Sequence, residues 1–295
     1  MFRNLRLYRF EGAWPDSEES LSSALEAAAF EPCGPLTERS SGFVPVAPDA
    51  GDGLARRVGG MDLLRLRTQS RVLPAAAVNE ELDNRIEAYR ARMQELPSAR
   101  EKRRLKAEAR DELMPKALLK SDRIWAFADP QQALLAVGTG QEAVAERLLR
   151  RLSAAVNGLN PRPLQFRQPV EELLTKVFFG DAPRQFIAGR ECRMQDLKDR
   201  RSVVRWTDFD LAEPSIRNHV ADGMRLTHLA VEYASVMNCV ISEEGVVSKL
   251  RFLDDDADLT DSDDPLARLD AEFVLESGTL RNLVTDMGKL LGGIA

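Results

Sequence analysis

The feature that most constrains the fold of this chain is a helical segment with a proline break near its middle. Apolar side chains recur there at intervals of four and three residues, the spacing of one helix face: Leu82, Ile86, Tyr89, Met93 and Leu96. Pro97 ends the stripe, and Ser98 with Glu101 has the pattern of a capping box that opens a second helix. Two helices joined by so short a break predict an antiparallel helical hairpin.

The rest of the chain alternates short strands with amphipathic helices. Strands are predicted at residues 3–10, 63–67, 124–127, 133–137, 224–233, 236–241, 246–252 and 272–275. Helices are predicted at residues 17–30, 170–179 and 279–291, and from a second capping-box pattern, Thr139 with Glu142, to about residue 155. Because neighbouring strands fall into short hairpins, the sequence predicts an α+β fold of antiparallel sheets packed with helices.

The charge of the chain is unevenly distributed, although its sum is −6. Residues 85–123 contain twelve basic and seven acidic side chains, so this segment carries +5 and the remainder −11. In the second predicted helix, Arg100, Arg103, Arg104 and Arg110 lie mostly away from the apolar positions. Charge runs on a helix usually form a solvated surface, and this pattern fits either such a solubilising surface or a phosphate-contacting one.

Few residues of this chain fit catalytic or metal-binding patterns. Residues 254–264 hold seven aspartates, but they lack the Gly and Glu positions of an EF-hand, so a solvated acidic loop is predicted. The widely spaced Cys33, Cys192 and Cys239, together with His219 and His228, form no zinc or nucleophile motif. We therefore predict no metal, no cofactor and no catalytic residue.

The sequence also indicates a compartment. No stretch approaches the 18 apolar residues of a transmembrane helix, and the first ten residues lack the apolar core of a signal peptide. The odd number of distant cysteines is typical of a reducing environment. We therefore predict a cytoplasmic protein.

Eight short motifs occur in register between residue 2 and about residue 290. They are Phe2-Arg3-Asn4-Leu5 with Tyr8-Arg9, Phe30-Glu31-Pro32-Cys33-Gly34, Gly42-Phe43-Val44-Pro45, Val72-Leu73-Pro74, Leu113-Met114-Pro115-Lys116-Ala117, Asn218-His219, Lys249-Leu250-Arg251-Phe252 and Asp270-Ala271-Glu272-Phe273. In this order and spacing, they resemble the bacterial recombination-associated RdgC family.

The resemblance implies a fold, an assembly and a function. RdgC-like proteins are cytoplasmic, nucleoid-associated and not enzymes. They form a homodimeric ring of α+β subunits whose positively charged hole encircles duplex DNA with little sequence preference. They limit the loading or activity of the RecA recombinase. A helical tip forms one dimer contact, the gate, and the opposite end of the subunit forms the hinge.

Mapped onto this chain, the resemblance implies four regions. Residues 1–74 form the N-terminal α/β part of the central body, 75–123 the helical tip, 124–180 a hairpin–helix part of the body, and 181–295 a second α/β part. This last region includes a finger segment near 203–211 and the acidic loop 254–264. Leu118 matches the gate position, where the family carries a large apolar side chain, often Phe.

The finger segment departs from its relatives. Asp208 and Phe209 stand where relatives can carry Lys and Gln as DNA contacts. Arg205 could substitute for the missing cation, and Trp206 could stack or wedge between bases. Either residue could equally be structural.

The candidate DNA contacts combine the basic residues of the tip, the finger and the second-half hairpin. They are Arg100, Arg103, Arg104, Lys106, Arg110, Arg205, Trp206, Lys249 and Arg251. Arg3, Arg6 and Arg9 on the first strand are weaker candidates.

Two alternatives to DNA binding stay open. The first is an oligomeric interaction scaffold, which predicts tip cations already paired with acids. The second is a metal-dependent enzyme that uses the acidic stretch.

Overall fold

The computed structural model describes residues 1–47, 53–253 and 264–295. The strands are β1 (Arg6–Glu11), β2 (Arg39–Phe43), β3 (Ala55–Val58), β4 (Met61–Val72), β5 (Leu118–Asp129), β6 (Leu134–Val137), β7 (Asn160–Pro163), β8 (Phe186–Asp196), β9 (Val203–Thr207), β10 (Met224–Tyr233), β11 (Met237–Ser242) and β12 (Val247–Phe252). The α-helices are α1 (Glu18–Glu26), α2 (Ala75–Met93), α3 (Ala99–Leu113), α4 (Glu142–Ala155), α5 (Val170–Phe179), α6 (Pro214–Ala221) and α7 (Pro265–Leu290). The predicted α+β class is confirmed. Within the described ranges, no helix has the length and apolar character needed to cross a bilayer.

The chain divides into two compact units. The larger unit comprises residues 1–28, 45–65 and 124–295, and the smaller unit comprises residues 29–44 and 66–123. Each unit is therefore assembled from stretches that are separate in the sequence.

The larger unit contains a five-stranded antiparallel sheet in the order β12-β11-β10-β8-β9. Along β10, Leu229, Val231 and Tyr233 are buried in the core, whereas His228, directly before Leu229, is half-buried on the other face. This alternation is that of a strand with one face in the core. In the same unit β1 pairs with β6 and β7, and β5 forms the predicted hairpin with β6.

Helix α5 has the bounds that its apolar spacing predicts. Pro169 precedes its first turn, and Gly180 ends it in the left-handed conformation, at φ 83°, which glycine adopts without a steric penalty. One face of the helix packs into the core of the larger unit; its buried residues are Val170, Leu173, Leu174, Val177 and Phe178.

The predicted strand at residues 272–275 is wrong, because α7 runs through it without a break. The Asp264 carboxylate caps this helix by accepting the N–H of Leu266 at 2.9 Å. Short apolar runs fit a strand and a helix equally well, and here Phe273 lies on the same buried face as Leu280. Gly278 lies inside this helix, which runs through it to Leu290.

The predicted capping box of Thr139 with Glu142 is also wrong. Helix α4 begins at Glu142, so its N-cap is Gln141, which makes no side-chain cap. The Thr139 hydroxyl lies too early in the chain for that role, and it accepts the N–H of Gln141 at 3.1 Å instead.

The smaller unit places α2 and α3 beside a short antiparallel pair. Strand β2 pairs with the second half of β4, from Arg39↔Ser70 to Phe43↔Leu66. Gly42 is required there, because a Cβ atom would lie 2.4 Å from the Ala29 carbonyl oxygen.

The capping box of Ser98 with Glu101 is confirmed. The Ser98 hydroxyl accepts the N–H of Glu101 at 3.3 Å, and the Glu101 carboxylate accepts the N–H of Ser98 at 2.8 Å. The Tyr89 hydroxyl on α2 donates to the same carboxylate at 2.7 Å. These hydrogen bonds, those from Ser98 foremost, lower the pKa of Glu101 to about 2. One carboxylate thus caps α3 and ties it to α2.

Only the first part of the predicted packing stripe of α2 is covered by other residues. Tyr89 is buried, and Leu82 and Ile86 are half-buried. Met93 and Leu96 are exposed at the end of the stripe. The last residue of α2 and the segment that follows it therefore present apolar side chains to solvent.

Candidate nucleic-acid interface

The smaller unit carries a dense set of exposed cations. Of the twelve basic residues in the segment 85–123, five form ion pairs with acids: Arg85, Arg104, Arg110, Lys116 and Lys120. The other seven are exposed and form no ion pair with any residue that the structure describes: Arg90, Arg92, Arg100, Lys102, Arg103, Lys106 and Arg123. Most of the positive charge of this segment is therefore not neutralised by a neighbouring acid.

The five predicted contacts on α3 differ in their surroundings. Arg100 and Arg103 are the two without an ion pair or side-chain hydrogen bond to a described residue. Arg104 lies 3.5 Å from Glu108, and Arg110 lies 2.5 Å from Glu38. The Lys106 ammonium donates to Asn79 Oδ1 at 3.2 Å. Arg100 and Arg103 are thus the freest to meet an external phosphate.

Leu118, the predicted gate residue, opens β5 with its side chain 79% exposed. Leu119 beside it is also exposed. Leu118 is therefore an apolar side chain of the smaller unit that a second protein surface could cover.

In the larger unit, two predicted contacts that are distant in sequence converge on Glu191. Arg205 on β9 donates from Nη2 to Glu191 Oε1 at 2.6 Å. Lys249 on β12 donates from Nζ to Glu191 Oε2 at 2.5 Å. Both cations are more than half exposed, whereas the carboxylate is largely covered. We call Glu191, Arg193, Arg205, His228 and Lys249 the sheet cluster.

The electrostatics of the sheet cluster follow from these contacts. Burial acts to raise the pKa of Glu191, but hydrogen bonds from Lys249 and Arg205 outweigh it and hold that pKa below its usual value. Burial, followed by the charge of Arg193, lowers the pKa of His228. The carboxylate is therefore charged at neutral pH and the imidazole is neutral.

Arg193 is a candidate contact that sequence reasoning missed. It lies opposite Arg205 on β9 and opposite His228 on β10, so it belongs to the same exposed row of the sheet. It is exposed and forms no ion pair within the described part of the chain. Arg193 can be recognised as a candidate contact only from the strand register, because its local sequence contains no DNA-binding motif.

Trp206 is placed differently from its neighbour Arg205. It lies opposite the buried Cys192, packs against the core, and has its ring centroid 5.4 Å from that of Phe209 and 6.0 Å from that of His219. This position favours packing over an exposed stacking surface. Phe209 itself is exposed, and Asp208 binds Arg190 at 2.8 Å.

The remaining predicted contacts lie on β12 and at the start of the chain. Arg251 is exposed opposite Asn238, and Arg3 is also exposed. Arg6 donates to the Gly140 carbonyl at 3.1 Å, and Arg9 donates to the Ala295 carbonyl at 3.2 Å. Arg6 and Arg9 are thus engaged with the protein itself.

The acidic stretch of the metal-site alternative lies, except for Asp264, outside the described residues. Within the ranges that are described, no three His, Cys, Asp or Glu side chains are grouped to hold a metal ion. Burial raises the pKa of the Cys192 and Cys239 thiols to about 12, so neither is a thiolate at neutral pH.

Comparisons with known proteins cover nearly the whole chain. Residues 1–294 match a family model described as "Putative exonuclease, RdgC". The chain is 30% identical over 298 residues to the "Recombination-associated protein RdgC" of Sodalis glossinidius, covering all of this chain and 98% of that protein. It is 28% identical to the proteins of that name from Aeromonas hydrophila and Shewanella halifaxensis, covering 99% of this chain and 98% of each relative. The family description names an exonuclease, whereas the names of these relatives state an association with recombination.

Proposed function

Since this chain belongs to the RdgC family, we propose that it binds duplex DNA without sequence preference as a ring-shaped homodimer that restrains RecA-dependent recombination. The seven exposed cations of the segment 85–123 without an ion pair to a described acid carry this proposal. Phosphate binding needs such cations and needs no base-reading side chain. An oligomeric scaffold without a DNA role would need no such surplus.

The proposed assembly is a closed ring with two-fold symmetry. Helices α2 and α3 form its projecting tip, and Leu118 meets its counterpart's surface at the gate. A two-fold axis doubles each basic residue that lines the hole, because both subunits contribute the same surface. Closure retains DNA topologically, so each contact can be weak. The acidic remainder of the chain keeps the exterior soluble and disfavours binding of DNA from outside.

We propose a binding role in the nucleoid rather than an exonuclease activity. The names of the relatives support this choice, as does the sequence, in which no nucleophile or metal motif is recognisable. Incubation with linear duplex and Mg²⁺ should leave the DNA intact. Nucleotide release at a rate proportional to protein concentration would favour the exonuclease description.

Salt dependence tests the DNA-binding proposal. We expect the affinities for three duplexes of unrelated sequence to agree within a few-fold. We also expect log K to fall linearly with log [salt], with a slope of about −0.9 per phosphate neutralised. Fluorescence anisotropy at several salt concentrations measures both. A flat salt response, or strong preference for one duplex, would contradict the proposal and favour the scaffold.

A further inference from the structure

Glu191 holds two cations that come from the two edges of the same sheet. Its strand, β8, lies inside the sheet, whereas Arg205 comes from the edge strand β9 and Lys249 from the opposite edge strand β12. Each carboxylate oxygen accepts from one of them, at 2.6 Å and 2.5 Å. An anion whose oxygens bridge a guanidinium and an ammonium has the contacts that a bound phosphate makes.

The backbone conformation at Lys249 is unusual for a strand residue and accompanies the contact of its side chain with Glu191. The register between β11 and β12 shifts after Asn238, which leaves Lys249 in a bulge. Lys249 has φ 53°, a left-handed conformation that a non-glycine residue adopts at an energetic cost. Bulges commonly re-aim a side chain near a functional site. The strained backbone and the ion pair are independent observations that concern the same lysine.

We propose that Glu191 occupies the place of a DNA phosphate, so that a backbone phosphate displaces it from Arg205 and Lys249 when duplex binds. The sheet cluster is then a preorganised phosphate site that its own carboxylate partly neutralises. Arg193, opposite Arg205, adds a third cation, so three cations face one carboxylate in the cluster. This inference rests on the proposed DNA binding. It adds that Glu191 competes with the DNA phosphate for the two cations and so limits the affinity for duplex.

The Glu191→Gln variant tests the competitor directly, because glutamine keeps the shape and an acceptor oxygen but removes the charge. We expect duplex affinity to rise roughly three- to tenfold at moderate salt. The log–log salt slope should change by less than about 0.9 per protomer, because Arg205 and Lys249 contact the same phosphate in both proteins. Glu11→Gln is the matched control: it removes one charge from an exposed pair with Arg162, 3.9 Å away, and should change affinity less than twofold.

A double-mutant cycle tests whether the gain in affinity of Glu191→Gln depends on Arg205 and Lys249. Arg205→Gln with Lys249→Gly removes both cations, and glycine suits the left-handed position without strain. Adding Glu191→Gln to this pair should leave affinity within twofold. If Glu191→Gln alone, with an unchanged melting temperature, binds duplex no more tightly than the wild type, the proposal is wrong and Glu191 serves only to position the cations.

Inorganic pyrophosphate separates this inference from the proposed function. Calorimetric titration should show tighter pyrophosphate binding by Glu191→Gln than by the wild type, and none by the variant that lacks Arg205 and Lys249. That result without binding to any duplex would refute the DNA-binding function while supporting the anion site. Duplex binding by the wild type, with no gain for Glu191→Gln on either ligand, would refute the inference alone.

Discussion

Reversal of two charges on α3 is expected to weaken duplex binding by about 100-fold or more. Arg100 and Arg103 are exposed and form no ion pair with a described residue, so their charge is available to phosphates. In a homodimer, Arg100→Glu with Arg103→Glu alters four positions. Each lost phosphate contact should flatten the log–log salt slope by about 0.9. Anisotropy titrations with one fluorescent duplex measure both quantities.

The control for this variant changes the total charge by the same amount elsewhere. Arg150 on α4 and Arg162 on β7 are exposed in the larger unit and are not among the candidate contacts. Arg150→Glu with Arg162→Glu should lower affinity by less than about fivefold, because neither residue is a proposed phosphate contact and an exposed charge is screened beyond about 8 Å at physiological salt. An equal loss in both variants would show that net charge, and not the α3 surface, governs binding.

Loss of one buried carboxylate in the larger unit is expected to destabilise the fold strongly. Asp129 has no exposed surface; its Oδ2 accepts from Arg281 Nε at 2.5 Å, and its Oδ1 accepts the N–H groups of Gln131 and Gln132. Asp129→Ala leaves the partly covered guanidinium and two turn N–H groups without this partner. We expect a loss of about 3–5 kcal/mol in the free energy of unfolding, measured by urea denaturation.

Two further variants test whether the burial of Asp129 causes the predicted loss of stability. Asp122→Ala removes a carboxylate that is mostly exposed, 3.3 Å from Lys120, and should cost less than about 1 kcal/mol. Asp129→Asn keeps an acceptor for the turn and should fall between the two. A cost for Asp129→Ala no larger than that for Asp122→Ala would contradict the role assigned to this buried pair.

Local patterns in the sequence predicted much of the fold. The 3.6-residue spacing gave the bounds of α5, and the Ser98 capping box marked the start of α3. Local patterns did not predict the correct element where the same pattern fits both a strand and a helix. The apolar residues at 272–275 suit a strand as well as a helix, and only packing of Phe273 into the core selects the helix.

The candidate site was less predictable because it depends on pairing across strands. Arg205 and Lys249 were recognised as cations, but their common partner Glu191 lies 14 and 58 residues away from them. Arg193 joins them only through the register of β8 with β9 and β10. Composition indicates where charge gathers, whereas the fold decides which charges an internal acid already neutralises.

The most direct test of DNA encirclement compares retention on covalently closed circles with retention on short linear duplexes of the same sequence. Leu118→Asp should weaken the proposed gate, and Leu36→Asp, at a leucine 67% exposed in the same unit, is the matched control. After a salt wash, we expect the wild type and the Leu36→Asp variant to remain on circles and to slide off linear DNA, whereas the Leu118→Asp variant should dissociate from both kinds of DNA. Equal retention of the wild type on circles and linear duplexes would contradict encirclement.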